Sequence, residues 1–321
     1  MTKEDLRIVF LGTPDFAVES LDRLVKGGYK VVGVVTMPDK PAGRGHKMLQ
    51  SAVKQYAVAH GLHLMQPVRL KDPEFLEELA ALRADLFIVI AFRMLPREVW
   101  QMPRLGTFNL HASLLPRYRG AAPINRAVMN GETETGVTTF MLKHEIDTGD
   151  ILRQERIAIG PDDCVGDVHD RLMELGADLT LDTVARIIAG DLSPLPQDAM
   201  LTDGEEPTPA PKIFAEDMEI RWDRPSREIH NLVRGLSPYP AARAVLEVTP
   251  GHTEAVKIYR TALTGAPAAD VPGTVHISGG KMTVDTEDGR LEILELQAAG
   301  KKRMPVADYL RGARLVDPRF V

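Results

Sequence analysis

Three side chains in this chain have the types and the spacing for acyl transfer to an amine: Asn109, His111 and Asp147. Thr107 to His111 alternates like a strand running into a loop. Residues two apart on a strand share a face, so Asn109 and His111 project together. A later loop, Ile146-Asp147-Thr148-Gly149-Asp150, supplies a carboxylate. In acyl transfer the attacking amine must lose its extra proton, the carbonyl oxygen needs a donor as it gains charge, and the leaving nitrogen must be protonated. His111 then handles protons and polarises the carbonyl, Asn109 donates to the developing oxyanion, and Asp147 fixes the imidazole tautomer and helps take the proton of the amine. No Ser or Cys nucleophile is required if the acyl group passes directly between nitrogens. Residue type alone leaves a plainer reading open, because a strand-end Asn or His also caps turns.

These groups need a rigid frame, and the first half of the chain predicts one. Arg7 to Gly12 is a short β-branched apolar run, Phe16 to Val25 has helical spacing, and Lys30 to Thr36 is a second buried strand. That order is a βαβ unit and predicts a parallel sheet. Helices are expected over Ser51–His60, Asp72–Arg83 and Val165–Ala189, and a short strand over Leu62–Met65. Asp85 to Ala91 has the continuous apolar character of a central strand buried on both faces. Its carboxyl end should lie beside Asn109, where ligands of open α/β sheets collect. The first turn, Gly12-Thr13-Pro14-Asp15-Phe16, lacks the G-x-G-x-x-G fingerprint, which argues against a nicotinamide oxidoreductase.

Met37 to Gln50 is too long for an ordinary strand-to-helix connection. It sets Lys40, Arg44 and Lys47 against the single acid Asp39, so it reads as a basic finger able to meet phosphate. Gly190 to Pro211 holds five prolines without periodicity and reads as a linker. After it come a helix over Pro225–Arg234 and five short β-like runs near Ala244–Val248, Val256–Tyr259, Gly273–Ile277, Met282–Asp285 and Leu291–Leu296. The expected fold is therefore α/β: a Rossmann-like parallel-sheet domain over 1–189, a linker over 190–211, and a small OB-like β-barrel domain over 212–321.

Composition bounds the function. Hydrophobic residues at 44% and charged residues at 26% are ordinary for a globular protein, and no apolar stretch approaches a membrane span. Cys164 stands alone, so an internal disulfide is excluded, and with no signal sequence before the first strand a cytoplasmic protein is expected. The net charge of −6 argues against a general nucleic-acid coat. Basic charge is instead local, in the Met37–Gln50 stretch and in Lys301, Lys302 and Arg303 just past the last expected strand.

The run Asn109-x-His111-x-Ser113-Leu114-Leu115-Pro116, followed by Arg119-Gly120-Ala121-Ala122-Pro123-Ile124 and Asp147-Thr148-Gly149-Asp150, resembles the formyltransferases that use 10-formyltetrahydrofolate. Within them it is most similar to the members acting on methionyl-tRNA. The resemblance covers nearly the whole chain. It implies transfer of a formyl group from the folate, a co-substrate, to the α-amine of methionine on initiator tRNA, with Asn109, His111 and Asp147 as the catalytic residues. It assigns folate binding to Ser113, Leu114, Leu115, Pro116 and Phe92. It assigns tRNA binding to Arg44 in the Pro-Ala-Gly-Arg-Gly loop and to Lys301 and Lys302 in the Ala-Gly-Lys-Lys motif on the barrel, and the neighbouring Lys47 and Arg303 join them as candidates by their basic charge. Neither a metal nor a stable protein partner is implied.

The chain departs from the family pattern at Phe92-Arg93-Met94-Leu95-Pro96, where Arg93 is expected to face water, and at His144-Glu145, expected to be solvated. Two rivals remain at this point. A formyltransferase for a small amine, such as glycinamide ribonucleotide or an amino sugar nucleotide, would share the three catalytic residues without needing the basic segments. A folate- or tRNA-binding module without activity would have no use for the triad.

Overall fold

The computed structural model describes residues 1–42, 47–201 and 206–321, the side chains of Ala42 and Lys47 excepted. The chain divides into two compact units. The first comprises Met1–Gly120, Gly136–Ile157 and His169–Pro209, and the second Ala121–Thr135, Ala158–Val168 and Ala210–Val321.

The first unit is built on β1 (Arg7–Gly12), α1 (Asp15–Lys26) and β2 (Lys30–Val35), the expected βαβ start. There follow β3 (Lys40–Ala42), β4 (Lys47–Leu49), α2 (Ala52–Ala59), β5 (Leu64–Met65), α3 (Pro73–Ala81), β6 (Leu86–Ile90), α4 (Arg97–Trp100) and β7 (Thr107–His111). Beyond α5 (Pro123–Met129) come β8 (Glu134–Met141), β9 (Ile151–Ala158) and α6 (Val165–Ala189). The strands form a seven-stranded sheet in the order β5-β2-β1-β6-β7-β8-β9. From β5 to β7 neighbours run parallel, as βαβ connections require. All five residues of β6 are buried, as its unbroken apolar run predicts for a strand covered on both faces.

Direction reverses at the next pair. β8 runs antiparallel to β7, setting Phe140 opposite Asn109 and Thr138 opposite His111. The sheet is thus parallel through its core and antiparallel on the flank that carries the candidate residues. α6 packs on that flank through small residues: a Cβ on Gly176 would come 2.7 Å from Leu110, and the Thr183 hydroxyl lies 2.8 Å from that of Thr139.

The Met37–Gln50 stretch departs from a plain loop. β3 and β4 form an antiparallel ladder pairing Lys40 with Leu49 and Pro41 with Met48. Its base is fixed by Asp39, which receives Lys54 Nζ at 2.6 Å and Gln66 Nε2 at 2.9 Å. The Lys54 ammonium holds the Asp39 carboxyl below its usual range.

The second unit contains α5, α7 (Ser226–Leu236), β10 (Ala242–Thr249), β11 (His252–Leu263), β12 (Val275–Ser278), β13 (Lys281–Asp285), β14 (Arg290–Ala298), β15 (Met304–Pro305), α8 (Val306–Gly312) and β16 (Arg319–Phe320). The sheet order is β12-β13-β14-β11-β10-β16, antiparallel throughout, with β15 added beside β14. A bridge from Thr274 to Arg319 brings the last strand back to the first, so the sheet is nearly closed. The five sequence-expected strands are β10 to β14. α7 buries Ile229, Val233 and Leu236 in a core with Leu246, Ile258, Ile293 and Leu296. α5 lies close against α7, where Asn125 Nδ2 donates to Gly235 O at 2.8 Å and any side chain at 235 would strike Met129.

Among the described residues, no helix is long and apolar enough to cross a membrane.

Candidate active site

β7 ends at His111, and its alternation puts Asn109 on the same face. The His111 ring is buried, and its Nε2 lies 2.8 Å from the carbonyl oxygen of Tyr118. A carbonyl only accepts, so Nε2 carries the proton of the neutral ring and Nδ1 is left as a lone pair. That lone pair faces Asp147 Oδ2 at 3.9 Å, too far for a hydrogen bond. The tautomer is therefore set by the Tyr118 carbonyl and not, as the sequence had implied, by Asp147. Two acceptors with a gap between them define a place for an N–H group.

Asp147 is held from several sides. Its Oδ2 accepts the backbone N–H of Gly120 at 3.0 Å. Its own backbone is left-handed, with φ 54°, in a region that costs a non-glycine residue about 1–2 kcal/mol. Gly149 permits the loop to close, because a Cβ there would lie 1.5 Å from Met141 O. Gln197 Nε2 donates to the carbonyls of Asp147 and Gly149, both at 2.8 Å. Gln197 Oε1 in turn accepts from Arg119 Nε at 3.0 Å and Nη2 at 2.7 Å.

Asn109 presents a buried carboxamide oxygen with no hydrogen-bond partner among the described residues. Such an orphan costs about 1–3 kcal/mol, which a donor on a ligand would recover. Turned half over, the same carboxamide offers its NH2 to a developing oxyanion.

The expected folate-binding run is tightly built. Ser113 is fully buried, and its hydroxyl donates to Arg117 O at 2.7 Å, closing the turn that brings Tyr118 O to His111. Leu115 packs into a small core with Phe140 and Ile151, while Leu114 is half-buried. Thr138 Oγ1 donates to Ser113 O at 2.6 Å, and Gln154 Nε2 donates to Leu115 O at 2.7 Å, so β8 and β9 hold the backbone before Pro116. Phe92 is half-buried at the end of β6, against the core that contains Val89 and Leu95. Arg93 is half-buried rather than simply solvated. Its guanidinium donates to Val68 O at 2.8 Å and to Pro67 O, and it lies 5.6 Å from the Phe92 ring centroid. Two backbone carbonyls outside any ladder needed donors, and no local sequence pattern announces that. His144 and Glu145 are exposed, as expected.

The basic candidates divide. Arg44 lies outside the described residues, as does the side chain of Lys47. Lys301 and Lys302 are exposed. Arg303 is engaged, with Nε 2.7 Å from Glu295 Oε1, Nη2 2.6 Å from Oε2, and its guanidinium 4.4 Å from the Tyr259 ring centroid. The Glu295 contact raises its basicity further.

Comparison with known proteins shows which family the chain belongs to. The Formyl transferase family profile matches residues 6–184, and that of the Formyl transferase C-terminal domain matches 212–314. Methionyl-tRNA formyltransferase of Parabacteroides distasonis is 57% identical over 98% of this chain and 98% of its own length. That of Bacteroides fragilis is 55% identical over 99% and 98%. The chain belongs to the methionyl-tRNA formyltransferase family.

The fold of the family extends to more distant proteins. An N-formyltransferase from Helicobacter canadensis, in complex with folinic acid and dTDP-3-aminofucose, superposes with a TM-score of 0.67 at 20% identity, covering 90% of this chain and 98% of that one. HypX from Aquifex aeolicus, in complex with tetrahydrofolic acid, gives 0.63 at 18% identity, covering 95% of this chain and 47% of that one.

Three groups at the site escaped the sequence reading: the Tyr118 carbonyl, the Gly120 N–H and the Gln197 amide. The first two are backbone atoms, invisible to residue type. Gln197 sits in the aperiodic Pro-rich stretch, where nothing marks one polar side chain as buried.

Proposed function

We propose that the chain transfers the formyl group of 10-formyltetrahydrofolate to the α-amine of methionine esterified to initiator tRNA, in the cytoplasm, for the start of translation. Relatives at 55–57% identity over nearly the full chain are named methionyl-tRNA formyltransferase, which supports the formyl transfer and its methionyl-tRNA acceptor. The observation that carries the chemistry is the 3.9 Å gap between His111 Nδ1 and Asp147 Oδ2, lined by two acceptors.

The folate supplies a formyl carbon bonded to a nitrogen that must leave. The chain's residues orient the amine and move its proton. Asp147 and His111 Nδ1 together accept N–H bonds from the attacking amine, aligning its lone pair on the carbonyl. As the new C–N bond forms, the amine proton passes to Nδ1. The Tyr118 carbonyl keeps the opposite N–H of the resulting imidazolium in place, and the Asp147 carboxylate balances its charge. As the old C–N bond breaks, Nδ1 returns the proton to the leaving nitrogen, so protons balance without another reactant. The Asn109 carboxamide stabilises the charge on the formyl oxygen.

In this reading residues 1–189 carry the catalytic side chains, 190–211 lead on from them with Gln197 packed behind Asp147, and 212–321 hold the tRNA. Ser113 to Pro116 and Phe92 shape the folate site. Arg44 and Lys47 meet the acceptor end, and Lys301 and Lys302 meet the tRNA backbone. Arg303 is the weakest of these contacts, since its fork is already filled by Glu295.

The test offers labelled formyl donor with methionyl initiator tRNA, methionyl elongator tRNA and an amino sugar nucleotide side by side. Preference for the initiator is expected. Formylation of the sugar nucleotide alone would keep the chemistry and remove the tRNA.

A further inference from the structure

Gln197 is only 2% exposed and opens a short 3-10 turn, Gln197–Met200, in a stretch whose sequence lacks periodicity. The stretch is stitched down at both ends within the first unit. Ile151 and Leu195 exchange backbone hydrogen bonds of 2.8 and 2.9 Å, and Arg119 N donates to Thr208 O at 2.9 Å. Between these seams the Gln197 amide uses both donors on the carbonyls of Asp147 and Gly149 and spends its oxygen on Arg119. Arg119 precedes Gly120, whose N–H holds the Asp147 carboxylate. One side chain therefore grips the Asp147 loop by its backbone and, through Arg119 and Gly120, the donor that aims its carboxylate. The left-handed backbone of Asp147 costs some strain even for an Asp, which these contacts help to hold.

We propose that Gln197 is a positioning residue of the formyl transfer, fixing Asp147 from both the backbone and the carboxylate side. The chemistry demands a primary amide. A Glu of the same size would set a carboxylate oxygen against two carbonyls, and an Asn is one methylene too short to reach both loops. The inference rests on the catalytic reading of Asp147.

The test is a double-mutant cycle in the full chain, measured as kcat and KM for both substrates, with Gln197→Ala, Asp147→Ala and the double variant. Gln197→Ala should lower kcat about 10–100-fold while each KM stays within about threefold, and should cost less than about twofold once Asp147 is already Ala. Gln197→Glu should show the same kcat loss, with Arg119 still satisfied, which covers the case in which the Ala variant folds poorly. Wild-type kcat in both Gln197 variants would overturn the proposal, as would an equal kcat loss in the two Asp147 backgrounds. An active Asp147→Ala protein would instead remove Asp147 from the chemistry, a separate failure that the same cycle reveals.

Discussion

Two histidine–aspartate couples stand at strand ends, one in each unit, and they are built for opposite purposes. His276 on β12 and Asp285 at the end of β13 meet at 2.6 Å. The Asp285 carboxylate is fully buried and saturated, with Arg290 Nε at 2.9 Å, Asp270 N at 3.0 Å and Ala269 N at 3.3 Å besides the imidazole. His111 and Asp147 stand 3.9 Å apart, and among the described residues the facing oxygen accepts only the Gly120 N–H. A saturated carboxylate holds structure. An unsaturated one facing a lone pair waits for a substrate. Residue types cannot separate the two, but counting donors against acceptors does.

The comparison breaks most visibly in rate. His111→Ala should lower kcat per folded molecule by about 10²–10⁴-fold, the range lost with a proton-transfer group. A variant within a few fold of wild type would place proton transfer elsewhere.

The converse effect belongs to Asp285. Asp285→Ala takes the acceptor from the half-buried Arg290 and from the Ala269 and Asp270 N–H groups, and should cost about 1–3 kcal/mol in denaturant unfolding, while kcat per folded molecule stays near wild type. Unchanged stability would mean that the knot holds nothing.

The same couple predicts a pH dependence. Burial alone would raise the Asp285 carboxyl, but His276 and Arg290 outweigh it and hold it below the usual range. A depressed carboxyl adds stability that is present above its ordinary value of about 4 and is lost as pH falls through the folded value. Acid unfolding followed on the wild type and on Asp285→Asn should show that loss only in the wild type.

The smallest effects concern the basic segments. Lys301→Ala and Lys302→Ala should each lower the salt slope of tRNA binding by about one, whereas Arg303→Ala should barely change it. Equal slopes for all three would contradict the view that the Glu295 pair withholds Arg303 from the RNA.

Much of this arrangement was legible in the chain, for identifiable reasons. β6 is an unbroken apolar run and could only be a doubly covered strand. Asn109 and His111 are two apart on β7, so strand geometry alone put them on one face. The strands β10 to β14 alternate and are punctuated by turn residues such as Asp288-Gly289. What stayed hidden depends on partners distant in sequence. The antiparallel β8 is set by its neighbour's direction. Arg303 finds Glu295 across the connection from β14 to β15, and Arg93 finds two carbonyls far upstream. The tautomer of His111 depends on a backbone oxygen, and the aim of Asp147 on a glutamine from a stretch that reads as a linker.

The measurement closest to the central claim is single-turnover formyl transfer by Asp147→Asn beside Asp285→Asn, each at saturating donor and methionyl initiator tRNA. The open couple should lose rate by about 10²–10⁴-fold without losing stability, and the closed couple should lose stability without losing rate. Near-wild-type turnover in Asp147→Asn would contradict the assignment of the gap between His111 and Asp147 as the place where the amine attacks.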